Sequence, residues 1–291
     1  MGRTLNSVIT ARNLSKGLGL ELVGDPHAPI HRVDSGGAAG VGSLCFAKNA
    51  QWATMISSAA VVIVSGENLF ERDGASLISE QPRLDFARAL ALIEQDVGFV
   101  WSSDEPQVHP TARIGSNVVL GRGVRVGAGT KIYHNVVVGD EVVIGERCLI
   151  KSGAVIGEEG FGFERDISGK AIRLPHIGTV VIGDDVEIGS LTTVCRGTMG
   201  DTVLRNGCKI DDHVHIAHNI DVGEDAFVIA CAEVSGGVTI GARAWIAPNA
   251  SILNQLSIGS DAVVGLGAVV TKSVPDGVIV VGNPAKPISR K

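Results

Sequence analysis

From Val108 onward an aliphatic residue returns at every sixth position: Val108, Ile114, Leu120, Val126, Ile132, Val138, Ile144, Ile150 and Ile156. The series resumes at Ile182, Ile188 and Val194. It runs again through Leu204, Ile210, Ile216, Val222, Val228, Val234, Ile240, Ile246, Ile252, Ile258, Val264 and Val270. Glycine often follows, as at Gly115, Gly145, Gly241 and Gly259. A helix would show apolar positions at a period of 3.6, which six does not match. Repeats of six describe a parallel β-helix instead, with three short strands per coil and one aliphatic side chain stacked inside from each. Twenty-four such hexads make about eight coils, each adding about 4.8 Å.

Two breaks interrupt the pattern. Between Ile156 and Ile182 the stretch GEEGFGFERDISGKAIRLPHIG, residues 157–178, has lost the period and leaves the coil as an excursion. Between Val194 and Leu204 four extra residues fall around Arg196–Asp201. Excursions from a rigid scaffold are where sites tend to be built. Ahead of the repeats lie a strand at Ala60–Val64 and an amphipathic helix at Leu84–Asp96, apolar at Phe86, Ala89, Leu90 and Ile93. The expected architecture is mainly β. A small α/β domain (1–105) precedes a parallel β-helix of about eight coils (106–273, with its excursion loop at 157–178) and a short tail (274–291). Aliphatics such as Val118, Val136 and Val142 are expected on outward faces of the coils, where a lone prism would leave them wet and ready to form an interface.

Composition narrows the class. Hydrophobic residues at 45% against 19% charged exclude a disordered chain. Glycine is abundant, 38 of 291 residues, with no collagen period, which suits many tight turns between short strands. A net charge of −6 argues against a general nucleic-acid binder and leaves room for local basic sites that hold phosphates. Five cysteines without C-x-x-C spacing read as buried thiols in a reducing compartment. Neither an N-terminal apolar h-region nor an apolar run of about 18–20 residues is visible. A cytoplasmic chain with no membrane span is expected.

Several residues carry candidate chemistry. His218, in H-I-A-H-N, lies two places beyond the inward Ile216 and should point outward. A neutral imidazole there could accept a proton. His213, His215 and His218 also read as H-x-H-x-x-H, which invites zinc; carbonic anhydrases of the γ class use such a solenoid with two histidine ligands five residues apart. Cys195 could pair with a histidine as a nucleophile. Phe46 and Trp52 stand out because aromatics are only 4% of the chain. Spaced six apart around Asn49, they could sandwich a flat base, or simply fill a small core. Phe161 and Phe163, between glycines at the excursion tip, could close over a ligand, with His176 near the loop's return.

The strings SGAVIGEEGFGF (152–163), LPHIGTVVIGDDVEIGSLTTVCRG (174–197), DT (201–202) and KIDDHVHIAHNIDVG (209–223), with GSLCFAKNAQW (42–52) in front, resemble the UDP-3-O-(3-hydroxyacyl)glucosamine N-acyltransferases of lipid A biosynthesis. That resemblance implies a left-handed β-helix, a cyclic homotrimer and an N-acyltransferase acting on a UDP-linked amino sugar. It also implies His218 as general base and Gly236 as the backbone oxyanion donor, with His215 and Asn219 beside them. Phe46, Asn49 and Trp52 would bind uridine; Phe161, Phe163 and His176 would line the sugar or acyl site. No cofactor would be permanently bound, and the donor would be acyl-acyl carrier protein or acyl-coenzyme A. The sequence departs from the pattern in three places. Fewer coils precede the excursion, Cys195 stands where the family has Asp, and VVGNPAKPI (280–288) resembles the tail of coenzyme A-dependent sugar acetyltransferases, with no counterpart of the family's C-terminal helices. That tail favours a coenzyme A donor for surface polysaccharide, with Lys272, Lys286 and Arg290 meeting the cofactor's phosphates. A γ-type zinc hydratase and a non-catalytic solenoid scaffold are the alternatives of other classes.

Overall fold

The computed structural model describes residues 2–47, 49–68 and 72–288. Arg290 lies outside them. The chain divides into two compact units: Met1–Val100 with Gly162–Gly178 and Thr198–Gly200, and a second formed by Trp101–Phe161, Thr179–Gly197 and Asp201–Lys291.

The first unit carries β1 (Arg3–Thr10), α1 (Ala11–Leu18), β2 (Glu21–Gly24), β3 (Pro29–Val33), β4 (Ser43–Phe46), α2 (Ala50–Met55), β5 (Val61–Val64), β6 (Ala75–Ile78) and α3 (Pro82–Asp96). Its sheet runs β1-β3-β4-β5-β6-β2, parallel from β3 to β6 and antiparallel at both edges. All four residues of β5 are buried, as a strand covered on both faces requires. Helix α3 starts with Pro82 in its first turn and buries Leu84, Phe86, Ala89, Leu90 and Ile93. The excursion from the solenoid folds into a hairpin, Phe163–Arg165 against Ala171–Arg173. The hairpin packs on α3, with an Arg83–Glu164 ion pair at 2.7 Å. Although 157–178 interrupts the repeats, its hairpin therefore belongs to the first unit.

The second unit is the solenoid. Its two-residue strands stack into three parallel sheets, of which the first and third hold eight strands each. Register survives both breaks: Ile144 pairs with Ile182 across the excursion, and Ile182 with Leu204 across the insertion. The inward series is buried from Val126 to Val270, while Val108 and Ile114 on the first coil remain 38% and 40% exposed because no coil stacks on them. The expectation for Val118, Val136 and Val142 is corrected. Val136 and Val142 are fully buried and Val118 half-buried. Each stands two places before an inward aliphatic, and alternation along a strand puts both on the same face. The same rule buries Cys148, Cys208, Ala226 and Ala244. Aliphatic and aromatic residues that stay wet include Val119, Leu191, Phe227, Trp245, Leu253 and Leu266.

Candidate active site

Both breaks fall on one corner of the prism, where the third sheet hands over to the first. The chain leaves the coil after Val155–Ile156 and re-enters at Val180–Ile182; one coil later the insertion follows Thr193–Val194. The next coil places His218 and Asn219 there, between His215–Ile216 and Asp221–Val222, and the one after places Gly236 and Gly237. Counting hexads in threes would have revealed this in the sequence, since each break and His218 follow a third hexad.

The corner is tied together by hydrogen bonds. Arg196, nearly buried, donates from Nε to the Gly157 carbonyl at 2.6 Å, and its guanidinium lies 5.0 Å from the Trp101 ring centre. The Asn219 backbone, in left-handed conformation (φ 59°), donates to the buried Thr202 hydroxyl at 2.9 Å. Neither Arg196 nor Thr202 was singled out from sequence, although both sit in strings that carried the resemblance.

His218 is half-buried, with Nδ1 3.0 Å from Asn219 Oδ1. An amide oxygen only accepts, so this contact puts the proton on Nδ1 and the basic lone pair on Nε2. The imidazole lies directly against Gly236: a Cβ there would stand 2.5 Å from Cε1 and 2.8 Å from Nε2. Only glycine permits that approach. At some corners the N–H is capped by a side chain of the next coil; those of Arg122, Ser190 and Ser260 donate to Asp140, Asp212 and Asp276. Among the described residues the Gly236 N–H has no such acceptor. A proton acceptor and an unspent backbone donor thus share one corner.

His215 stands one strand position before Ile216 with Nδ1 2.6 Å from Thr193 Oγ1, and Glu233 is its in-register neighbour on the next coil. His213 is exposed at a different corner with φ 58°. Among the described residues no three of His, Cys, Asp and Glu gather as a metal-binding group. Cys195 is 7% exposed, and burial, followed by the charges of Glu233 and Glu158, pushes its thiol up to about 11. Such a group is protonated at neutral pH and is a poor nucleophile. In the folded protein iodoacetamide at pH 7.5 should label the exposed Cys231 and spare Cys195 until denaturant is added, with peptide mass spectrometry as the readout.

The other candidates are distributed. Phe161 is 87% exposed, whereas Phe163 carries Arg173 over its ring at 5.6 Å. His176 is 1% exposed, its Nδ1 3.0 Å from the Leu174 carbonyl, with Gly162 packed on the ring. It closes the base of the hairpin rather than lining a surface of this chain. Phe46 ends β4 with its ring centre 4.9 Å from that of Phe86 on α3. Asn49 caps α2, its Oδ1 accepting from the Trp52 N–H at 3.0 Å, while the Trp52 side chain is 42% exposed. Lys272 and Lys286 are exposed, the latter on a hairpin that pairs Lys286–Ile288 with Ile279–Val281.

A coiled stack of hexapeptide strands is the fold of the left-handed β-helix acyltransferases. Residues 123–158 match the bacterial transferase hexapeptide family (six repeats). The solved structure of LpxA from Acinetobacter baumannii superposes with a TM-score of 0.57 at 27% identity, covering 65% of this chain and 71% of that one. The Francisella novicida UDP-N-acetylglucosamine acyltransferase gives 0.55 at 26% identity, over 63% and 68%. The UDP-3-O-acylglucosamine N-acyltransferase of Cupriavidus pinatubonensis is 34% identical over 88% of this chain and 81% of its own length. The Coxiella burnetii (strain Dugway) enzyme of that name is 31% identical over 77% and 73%. The chain belongs to the UDP-3-O-acylglucosamine N-acyltransferase family, and it is an acyltransferase. No helix among the described residues is long and apolar enough to cross a membrane.

Proposed function

We propose that this acyltransferase moves an acyl group from a thioester donor to the amine of a UDP-linked amino sugar, with His218 as general base. The observation that carries this reading is the contact between the His218 imidazole and Gly236. Nε2 of His218 takes a proton from the sugar amine as nitrogen attacks the thioester carbon. The carbonyl oxygen becomes an oxyanion facing the Gly236 N–H, a donor already oriented and not spent on the coil ladder. Collapse of the tetrahedral intermediate breaks the C–S bond, and the proton passes to the departing thiolate. No covalent enzyme intermediate is needed, in keeping with the protonated Cys195.

Phe46, Asn49 and Trp52 hold the uracil in this reading. With Oδ1 used as the cap of α2, Asn49 offers its amide N–H groups to a carbonyl of the base. Trp52→Ala should weaken nucleotide-sugar binding by about 1–3 kcal/mol. KM should rise while kcat holds, because the contact is equal in ground and transition states. Unchanged KM would assign the aromatic pair to packing.

Acyl-acyl carrier protein is the donor favoured by the family relationship. Acyl-coenzyme A is the second reading, supported by the exposed Lys272 and Lys286. We place the enzyme in a homotrimer, since Phe227 and Trp245 stack on adjacent coils with ring centres 5.4 Å apart and remain partly exposed. Mass spectrometry of products from UDP-linked amino sugars offered with each donor tests the proposal. Acylated sugar from neither donor would overturn it.

A further inference from the structure

Helix α2, which carries Trp52 and is capped by Asn49, is only six residues long. A helix that short does not hold itself in water; its geometry must come from what grips its ends. At the N-terminal end Asn49 does this through the Trp52 N–H. The other end is followed by Ile56 in extended conformation (ψ 134°), which cannot continue the turn.

The grip there comes from Arg72. Its Nη2 donates to the Ala53 carbonyl inside α2 at 2.9 Å, and its Nη1 to the Ser57 carbonyl just beyond at 3.3 Å. Both acceptors are distant in sequence, and they bracket the point where the helix stops. The guanidinium is half-buried and has no carboxylate partner among the described residues, and its buried Nε meets no acceptor. An arginine placed to serve the surface would be hydrated or paired with an acid. This one, half-buried, gives its donors to two carbonyls, and a cation at a helix C-terminus is also favoured by the aligned peptide dipoles.

We propose that Arg72 is a positioning residue for nucleotide recognition: by clamping the end of α2 it sets the angle at which Trp52 is presented. The inference rests on the reading that Trp52 contacts the base. It concerns binding of the nucleotide only, not the chemistry at His218.

The test uses the full-length protein and UDP as probe, with affinity measured by calorimetry. Steady-state kinetics on the UDP-sugar and the acyl donor accompany it. Arg72→Met keeps the aliphatic stem and removes both donors; UDP should bind roughly tenfold more weakly, the scale of a lost hydrogen bond to a charged group. The UDP-sugar KM should rise in parallel, with kcat and the acyl-donor KM unchanged. Arg72→Lys, which can reach one carbonyl at a time, should fall between; it decides the matter if Arg72→Met does not fold. The double variant Trp52→Ala/Arg72→Met should bind UDP no more weakly than Trp52→Ala alone, because Arg72 acts through Trp52. Additive losses, or parental affinity in folded Arg72 variants, would overturn the proposal. If Trp52→Ala itself leaves UDP affinity unchanged, the underlying nucleotide reading fails instead, which separates the two.

Discussion

His218→Ala should lower kcat by roughly 10²–10⁴-fold, the span that removal of a general base costs. Because the proton moves only in the transition state, kcat and kcat/KM should fall together while the KM for the sugar nucleotide stays put. His218→Gln should not restore the rate: an amide can occupy the space and hydrogen-bond to Asn219, but it cannot accept a proton at neutral pH. Cys195→Ser should be tolerated, given a thiol whose titration burial moves to about 11. His213→Ala should also be mild, since His213 sits on a different corner of the coil. A zinc hydratase would respond differently, with His213 as damaging as His218 and activity lost to chelators. Rates of His218→Ala, His213→Ala and Cys195→Ser at saturating substrates, with and without chelator, give the answer. His218→Ala retaining more than about a tenth of the parental kcat would remove the base from the mechanism.

Gly236→Ala should lower kcat by about 100-fold, on the scale that a misplacement near 1 Å imposes on a reacting group. The cause would be local. Gly236 has no left-handed φ, so alanine meets no backbone strain, and the new methyl group would lie 2.5 Å from Cε1 of His218. The imidazole must then rotate or retreat, and the N–H beside it loses its close approach to substrate. Circular dichroism and melting temperature should barely change, because the core residues Val234 and Val238 on either side are untouched. Near-parental kcat in Gly236→Ala would mean that the packed geometry of base and backbone donor is not used in catalysis. Gly237→Ala makes a useful contrast: Gly237 does have a left-handed φ of 72°, so its cost should appear in stability as well as in rate.

Much of the molecule was legible because its rule is local and repeated. A hexad states its meaning within six residues, and Ile132, Ile150 and Ile188 stack in register because each obeys it independently. The rule failed where a second position shared the same face. Val136 and Val142 are inside because alternation carried back from the two-residue strand that follows each adds the residue two places before the inward aliphatic to the core. The front domain was legible only in outline. Its strands are short, its sheet mixes parallel centre and antiparallel edges, and nothing in the chain's order states that β2 would pair with β6.

The sequence by itself determined the solenoid, its coil count and its two breaks, and it singled out His218 as a candidate base, since apolar period and side-chain type are written residue by residue. Tertiary structure alone decided how those parts meet. The imidazole of His218 rests on Gly236 because stacking brings residues one coil apart into van der Waals contact and the corner turns both toward the same side. The Gly236 N–H, facing the same corner, has no acceptor among the described residues. His176 is withdrawn because the hairpin folds back over it. Arg72 reaches α2 because the sheet carries its segment beside a helix far earlier in the chain. Such contacts depend on distances across the fold, and a one-dimensional pattern sets distances only along the chain.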